Sequence, residues 1–263
     1  MENALIGYSG FVGSTLLKQT TFDKLYRSTN IHEIAGQRFD TVVCAGAPAQ
    51  KWKANQSPEH DRQTINTLIS HLKTIDCDKF ILVSTVDVFN SPIAVDENSA
   101  VSTDGLHPYG LHRRQLEAFV LDHFKKPTII RLPGLVGPGL RKNAIFDLLN
   151  DNDCSKIDSR AAFQFYPMVN LWSDLQTTLK AGLSLVHLTS EPLTIGEIAG
   201  QGFGIEFENT LPQTPTQYDM RSLHSRYFGG EQHYQYSKRE VILSVRAYAQ
   251  SEPLQLSTEQ EAI

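Results

Sequence analysis

Gly7, Gly10 and Gly13 stand three apart, directly after the first apolar run of the chain (residues 4–7) and directly before a helical pattern at residues 11–18. A turn that leaves a strand and enters a helix in so few residues needs positive φ. Backbone that approaches a diphosphate, moreover, cannot carry a Cβ. The helix that follows would present free N–H groups and the positive end of its dipole to the phosphates. Tyr8, Ser9, Phe11 and Val12 complete this candidate cradle. The competing explanation is an ordinary strand-to-helix turn that contains glycines.

Short apolar runs at residues 24–27, 41–44, 80–83 and 128–132 then alternate with helical patterns at 57–75 and 109–123. That alternation predicts an α/β fold, a Rossmann doubly wound parallel sheet. The run TVVC at 41–44 is continuous, as expected of a strand buried on both faces. Residues 30–40 leave room for one helical turn.

Beyond about residue 140 the alternation weakens. Helices are expected at 143–149 and 172–181, and a strand at 185–188. Thr194/Glu197 and Ser237/Glu240 have capping-box spacing, and the second opens an amphipathic helix of Val241, Ile242, Val245 and Tyr248. Residues 202–206 and 210–216 read as loop. The expected organisation is a dinucleotide-binding domain over 1–140 with the strand at 185–188 added. A small C-terminal substrate lobe over 141–250 and a flexible polar tail over 251–263 complete it.

Composition excludes several classes. The chain has 263 residues, 40% hydrophobic and 20% charged, as in an ordinary soluble globular protein. A net charge of −5 and a pI near 6.0 argue against a nucleic-acid or anionic-membrane surface. No apolar run approaches the roughly 18 residues needed to span a bilayer. The first residues lack a secretory pattern. Three cysteines, Cys44, Cys77 and Cys154, are unpaired by spacing, so a cytoplasmic location is expected. No spacing suggests a metal site.

After the second apolar run the sequence reads Tyr26-Arg27-Ser28-Thr29-Asn30, with no acid to hold an adenosine ribose. Arg27 and Ser28 could instead hold a 2′-phosphate, which favours NADP and leaves NAD possible; a solvated surface arginine is the alternative. Three further motifs follow in order: STVDVF at 84–89, PYGLHRR at 108–114 and RLPGLVGPG at 131–139.

With Ala45-Gly46-Ala47, Asn66, Asp96-Glu97 and Glu117, this ordered set resembles the extended short-chain dehydrogenase/reductases. These are the NAD(P)-dependent epimerase/dehydratase family of nucleotide-sugar enzymes. The pattern is most similar to dTDP-4-dehydrorhamnose reductases. The resemblance covers roughly residues 4–140, with a looser echo to about 200. It implies Thr85 as polariser of the substrate oxygen, Tyr109 as general acid/base, and position 113 as cofactor-ribose ligand and modulator of the phenol. It also puts Ala45, Gly46, Ala47, Asn66 and Pro133 beside the cofactor. Position 113 is Arg where the family has Lys. An arginine keeps its charge but is fork-shaped and cannot relay a proton, so a non-catalytic NAD(P)-binding sensor or regulator stays open beside the enzyme.

For the substrate, the resemblance points to residues after the fifth strand and in the lobe. Arg141, Lys142, Asn143, Arg160 and Tyr166 are the candidates for a small-molecule, nucleotide-linked sugar. The short lobe suggests a compact substrate or an open cleft. Homodimerisation is carried over from relatives.

Overall fold

The computed structural model describes residues 2–253, so most of the expected tail lies outside the described residues. In chain order the elements of the first half are β1 (Asn3–Ile6), α1 (Phe11–Gln19), β2 (Lys24–Tyr26), β3 (Arg38–Cys44), α2 (Lys51–Gln56), α3 (Pro58–Leu72), β4 (Asp76–Thr85), β5 (Ile93–Val95), α4 (Pro108–His123) and β6 (Pro127–Leu132). The second half adds β7 (Gly134–Val136), α5 (Ala144–Leu149), β8 (Ala162–Phe163), β9 (Phe165–Pro167), α6 (Leu171–Lys180) and β10 (Leu185–His187). These are followed by β11 (Leu193–Thr194), α7 (Ile195–Glu197), β12 (Asp219–Met220) and α8 (Lys238–Ser251).

Six strands form one parallel sheet in the order β10-β6-β4-β3-β1-β2. The order reverses between β1 and β3. Chains of this type bind ligands in the crevice that opens outside the carboxyl ends of the strands at such a reversal. The link from β2 to β3 holds a single tight turn at Ile31–Ile34, and among the described residues β2 is an edge strand of the sheet.

Burial explains the sheet. Ala4 and Ile6, Val42 and Cys44, and Phe80 and Leu82 pack on one face against Ile65, Leu68, Leu72, Leu116 and Val120 of α3 and α4. The alternate residues Leu5, Val43, Ile81 and Ile130 pack on the other face against Leu16, Leu171 and Leu175 of α1 and α6. Period-two side chains on continuous apolar runs therefore fill two cores at once. A third core, with Val136, Ile145, Leu193, Ile198, Val241 and Tyr248, lies under α5 and α8.

Some boundaries differ from expectation. β4 begins at Asp76, four residues before its apolar run, because it stays in register with β3 from Arg38↔Asp76 onward. Arg38 there bonds both Asp76 and Asp78. The helix expected at 57–75 is preceded by a separate α2. The glycine-rich stretch expected as loop begins inside a wide helical turn, Ile198–Phe203, closed by Gly204 at φ +72°. Both capping boxes form.

Candidate active site

The glycines act differently. Gly7 has φ +86°, and a Cβ there would lie 2.3 Å from the Ala45 carbonyl oxygen. A Cβ on Gly13 would lie 2.2 Å from the Gly7 oxygen. These two close the turn on itself. Gly10 has φ −78°, and its nearest neighbour would be an ordinary 3.5 Å away, so what it leaves open is the space in front of α1. No side chain caps α1, and the turn with Ala45, Gly46 and Ala47 lines a cleft of about 2090 Å³. Arg27 stacks on the Tyr8 ring at 5.8 Å and bonds Thr29 Oγ1. Arg27 and Ser28 line the same cleft.

Thr85 ends β4, and its Oγ1 accepts from the Asp87 amide at 3.1 Å, capping the turn that follows. Asp87 then accepts from Lys51 Nζ at 2.7 Å and from Tyr218 Oη at 2.8 Å. The helix carrying Tyr109 packs directly on this turn: a Cβ on Gly110 would be 2.1 Å from the Asp87 carbonyl oxygen. That approach is why glycine follows the tyrosine. His107 Nδ1 caps the same helix by accepting from Gly110 N, and Asn55 accepts from Tyr109 N at 3.0 Å.

Tyr109 is buried. Burial pushes its phenol up, Asp87 and Asp61 add to that, and Arg113 and a hydrogen bond with Thr85 pull against it; the balance lies above the ordinary tyrosine value. Arg113 is 3% exposed, with its guanidinium carbon 4.0 Å from the Tyr109 ring centroid. One terminal nitrogen donates to Asp61 and, at 3.4 Å, to the Tyr109 carbonyl; the other donates to the Pro48 carbonyl. His112 shares the same Asp61 oxygen at 2.7 Å. Burial pushes the Asp61 carboxyl up, but bonds from Arg113 and His112 outweigh it and hold the group below the usual carboxylate value. Arg113 Nε is buried without a partner.

Pro133, Arg141, Lys142 and Asn143 also line the cleft. Lys142 Nζ reaches the Ala49 carbonyl, and desolvation with the facing Arg113 charge holds its ammonium below the ordinary lysine value. The Asn143 side chain, however, caps α5 by accepting from Ile145 N and Phe146 N, and it donates to the Leu135 carbonyl. Three expected residues lie elsewhere. Asn66 sits on the outer surface of α3, accepting from Gln115. Arg160 pairs with Asp158 and the Leu211 carbonyl outside the cleft lining. Tyr166 is fully buried with its hydroxyl on Asp174, because β9 turns it into the core. Lys51, Asp61, Asp87 and Tyr218 were not expected. Only Asp87 lay inside a motif.

Ligand pockets usually measure about 300–1,000 Å³, so this cleft, which runs from the glycine turn to Arg141–Asn143, exceeds one small ligand. Among the described residues, no helix is long and apolar enough to cross a membrane, and no group of residues could hold a metal ion.

No protein-family model and no curated protein sequence matches the chain. Solved structures do. RMD from Pseudomonas aeruginosa, complexed with NADPH, superposes with a TM-score of 0.70 over 95% of this chain and 99% of its own, at 17% identity. A UDP-N-acetylglucosamine 4-epimerase from Methanobrevibacter ruminantium M1, in complex with UDP-N-acetylmuramic acid, gives 0.72 over 95% and 97%, at 12% identity. A hypothetical dTDP-4-dehydrorhamnose reductase from Sulfolobus tokodaii gives 0.67 over 90% and 97%, at 18% identity. The reversed parallel sheet, the glycine turn and these superpositions together give the chain a Rossmann fold, shared with these solved structures.

Proposed function

We propose that the chain is an NAD(P)-dependent oxidoreductase acting on the carbonyl or hydroxyl of a sugar-like, nucleotide-linked substrate, with reduction favoured over epimerisation or dehydration. The observation that carries this is the Tyr109 phenol beside Thr85, in the same cleft as the glycine turn. The residues suit a dinucleotide: the turn is closed by Gly7 and Gly13, Gly10 keeps its mouth open, and the buried Arg113 Nε is a donor without a partner. Gly7–Gly13, Ala45–Ala47 and Pro133 would hold the cofactor, and Arg27 stacked on Tyr8 supports NADP over NAD.

When bound, a reduced nicotinamide supplies a hydride. The chain supplies the rest. Thr85 and Tyr109 hydroxyls donate to the substrate oxygen, and Tyr109 releases its proton to that oxygen as negative charge grows on it. A phenol held above its ordinary value stays protonated at neutral pH, which suits a proton donor better than a base. The preference for reduction comes from STVDVF at 84–89, most similar to the motif of the reductases. Arg141 and Lys142, which line the same cleft, would meet a substrate diphosphate.

The sensor reading keeps one specific support: both terminal nitrogens of Arg113 are already engaged by protein. NADPH oxidation with 4-keto sugar nucleotides, compared for wild type, Tyr109→Phe and Arg113→Lys, separates the two. Turnover lost in Tyr109→Phe supports the enzyme. Tight NADPH binding without turnover in any form supports the sensor.

A further inference from the structure

The geometry points to Asp61 as a positioning residue that sets the proton affinity of Tyr109, by pairing with the Arg113 guanidinium over the tyrosine ring and offsetting its charge there. Asp61 comes from α3, Tyr109 and Arg113 from α4, and all three are buried. Four residues along a helix face would bring an extended side chain at 113 alongside the phenol and on into the cleft. Arg113 lines that cleft, but its guanidinium is held by protein. Asp61 takes one terminal nitrogen, the Pro48 carbonyl takes the other, and the guanidinium carbon lies 4.0 Å from the ring centre.

Two charges then act on the phenol in opposite senses. A guanidinium over the ring favours phenolate, whereas the carboxylate behind it favours phenol. Because the ion pair is buried, solvent screens its charges less than it would at the surface. His112 bonds the same carboxylate oxygen, a second partner that holds Asp61 in place. The other titratable groups facing the ring are Asp87 with its partner Lys51 after β4, Tyr218 from the lobe, and His107, whose ring centroid is 6.3 Å away. The Asp61–Arg113 clamp is therefore one of two charge-paired arms around Tyr109, the other being Lys51–Asp87. The inference rests on the proposed oxidoreductase reading for the use made of the phenol, but its geometry stands without it.

The test needs neither substrate nor turnover. Ionisation of Tyr109 is followed by NMR on protein carrying tyrosine labelled at the ring carbon bearing oxygen, the signal being assigned with Tyr109→Phe. Asp61→Asn is expected to lower the Tyr109 midpoint by about one pH unit, a tenfold change in ionisation constant. Arg113→Gln is expected to raise it. The double variant, neutral again, is expected to return close to wild type, because two opposed charges acting on one phenol cancel when both are removed. Single variants that leave the midpoint unmoved, or shift it in the same direction, would overturn the clamp. So would a double variant as displaced as either single one. Should Asp61→Asn not fold, Arg113→Gln and the double variant decide alone. NADPH binding to wild type is measured alongside by fluorescence; its absence, with the midpoints moving as expected, would sink the oxidoreductase reading and leave the clamp in place.

Discussion

The Tyr218 hydroxyl donates to Asp87 Oδ1 at 2.8 Å, joining the segment before β12 to the end of β4. Lys51 donates to the same oxygen, so a lobe residue and a sheet-domain residue meet on one carboxylate beside Tyr109. Tyr218→Phe removes one donor and leaves the ion pair. It is expected to cost about 1 kcal/mol, or roughly 2–4 °C in a chain of this size. KM for the substrate should rise with kcat nearly unchanged. Thermal unfolding and steady-state kinetics check both, and an unchanged Tm would show that the bond contributes nothing.

The glycine turn separates folding from ligand approach. Gly13→Ala puts a methyl group within 2.2 Å of the Gly7 oxygen, so it should lower both Tm and cofactor affinity. Gly10→Ala meets nothing closer than 3.5 Å and keeps a permitted φ. It should unfold within about 4 °C of wild type, since Ala is a weaker N-cap than Gly by about 1 kcal/mol at most, yet bind NADPH at least tenfold more weakly. Calorimetry with cofactor titration distinguishes the two; equal affinity in Gly10→Ala would remove the turn from the binding site.

At the far end of the cleft, Arg27→Asp exchanges a cation for the acid that usually holds an NAD ribose. The NADP/NAD affinity ratio is expected to fall about tenfold or more, the worth of one charge-assisted hydrogen bond. Dissociation constants for both dinucleotides measure this, and an unmoved ratio leaves Arg27 as a surface residue stacked on Tyr8.

Asp61 also predicts a pH dependence of stability. Its folded carboxyl lies below the reference value of 3.8, so the folded state binds its proton less readily than the unfolded chain does. The stabilisation is therefore fully present above that reference value and is lost as pH falls through the folded one. At neutral pH, Asp61→Asn should cost about 3–5 kcal/mol by leaving the Arg113 charge uncompensated. Below about pH 4 the gap to wild type should narrow. Urea unfolding across pH 3–7 tests this; a gap independent of pH would place the effect in packing instead.

Much of the sheet was legible because its signals are local. Gly7 and Gly13 announce a turn no other residue could make, and runs such as 41–44 and 128–132 have no exposed face to interrupt them. β4 was read short because Asp76, Asp78 and Lys79 are polar. Only pairing with Arg38 on the neighbouring strand extends it. Tyr166 and Arg160 looked like ligand residues because aromatic and basic side chains suit a nucleotide. Their hydroxyl and guanidinium are taken by Asp174 and Asp158, and nothing in the local sequence identifies those partners as the ones they meet.

The amino-acid sequence by itself determined the α/β class, the glycine turn, both capping boxes and the motif order that brings Thr85 and Tyr109 together at the carboxyl end of β4. Each depends on backbone freedom, or on apolar period within a few residues. The tertiary structure decided how position 113 is used. Arg113 meets Asp61 from 52 residues away, and Asp87 meets Tyr218 from 131 residues away. Which groups hold an arginine depends on which carboxylate is buried beside it, and packing of separate helices alone sets that.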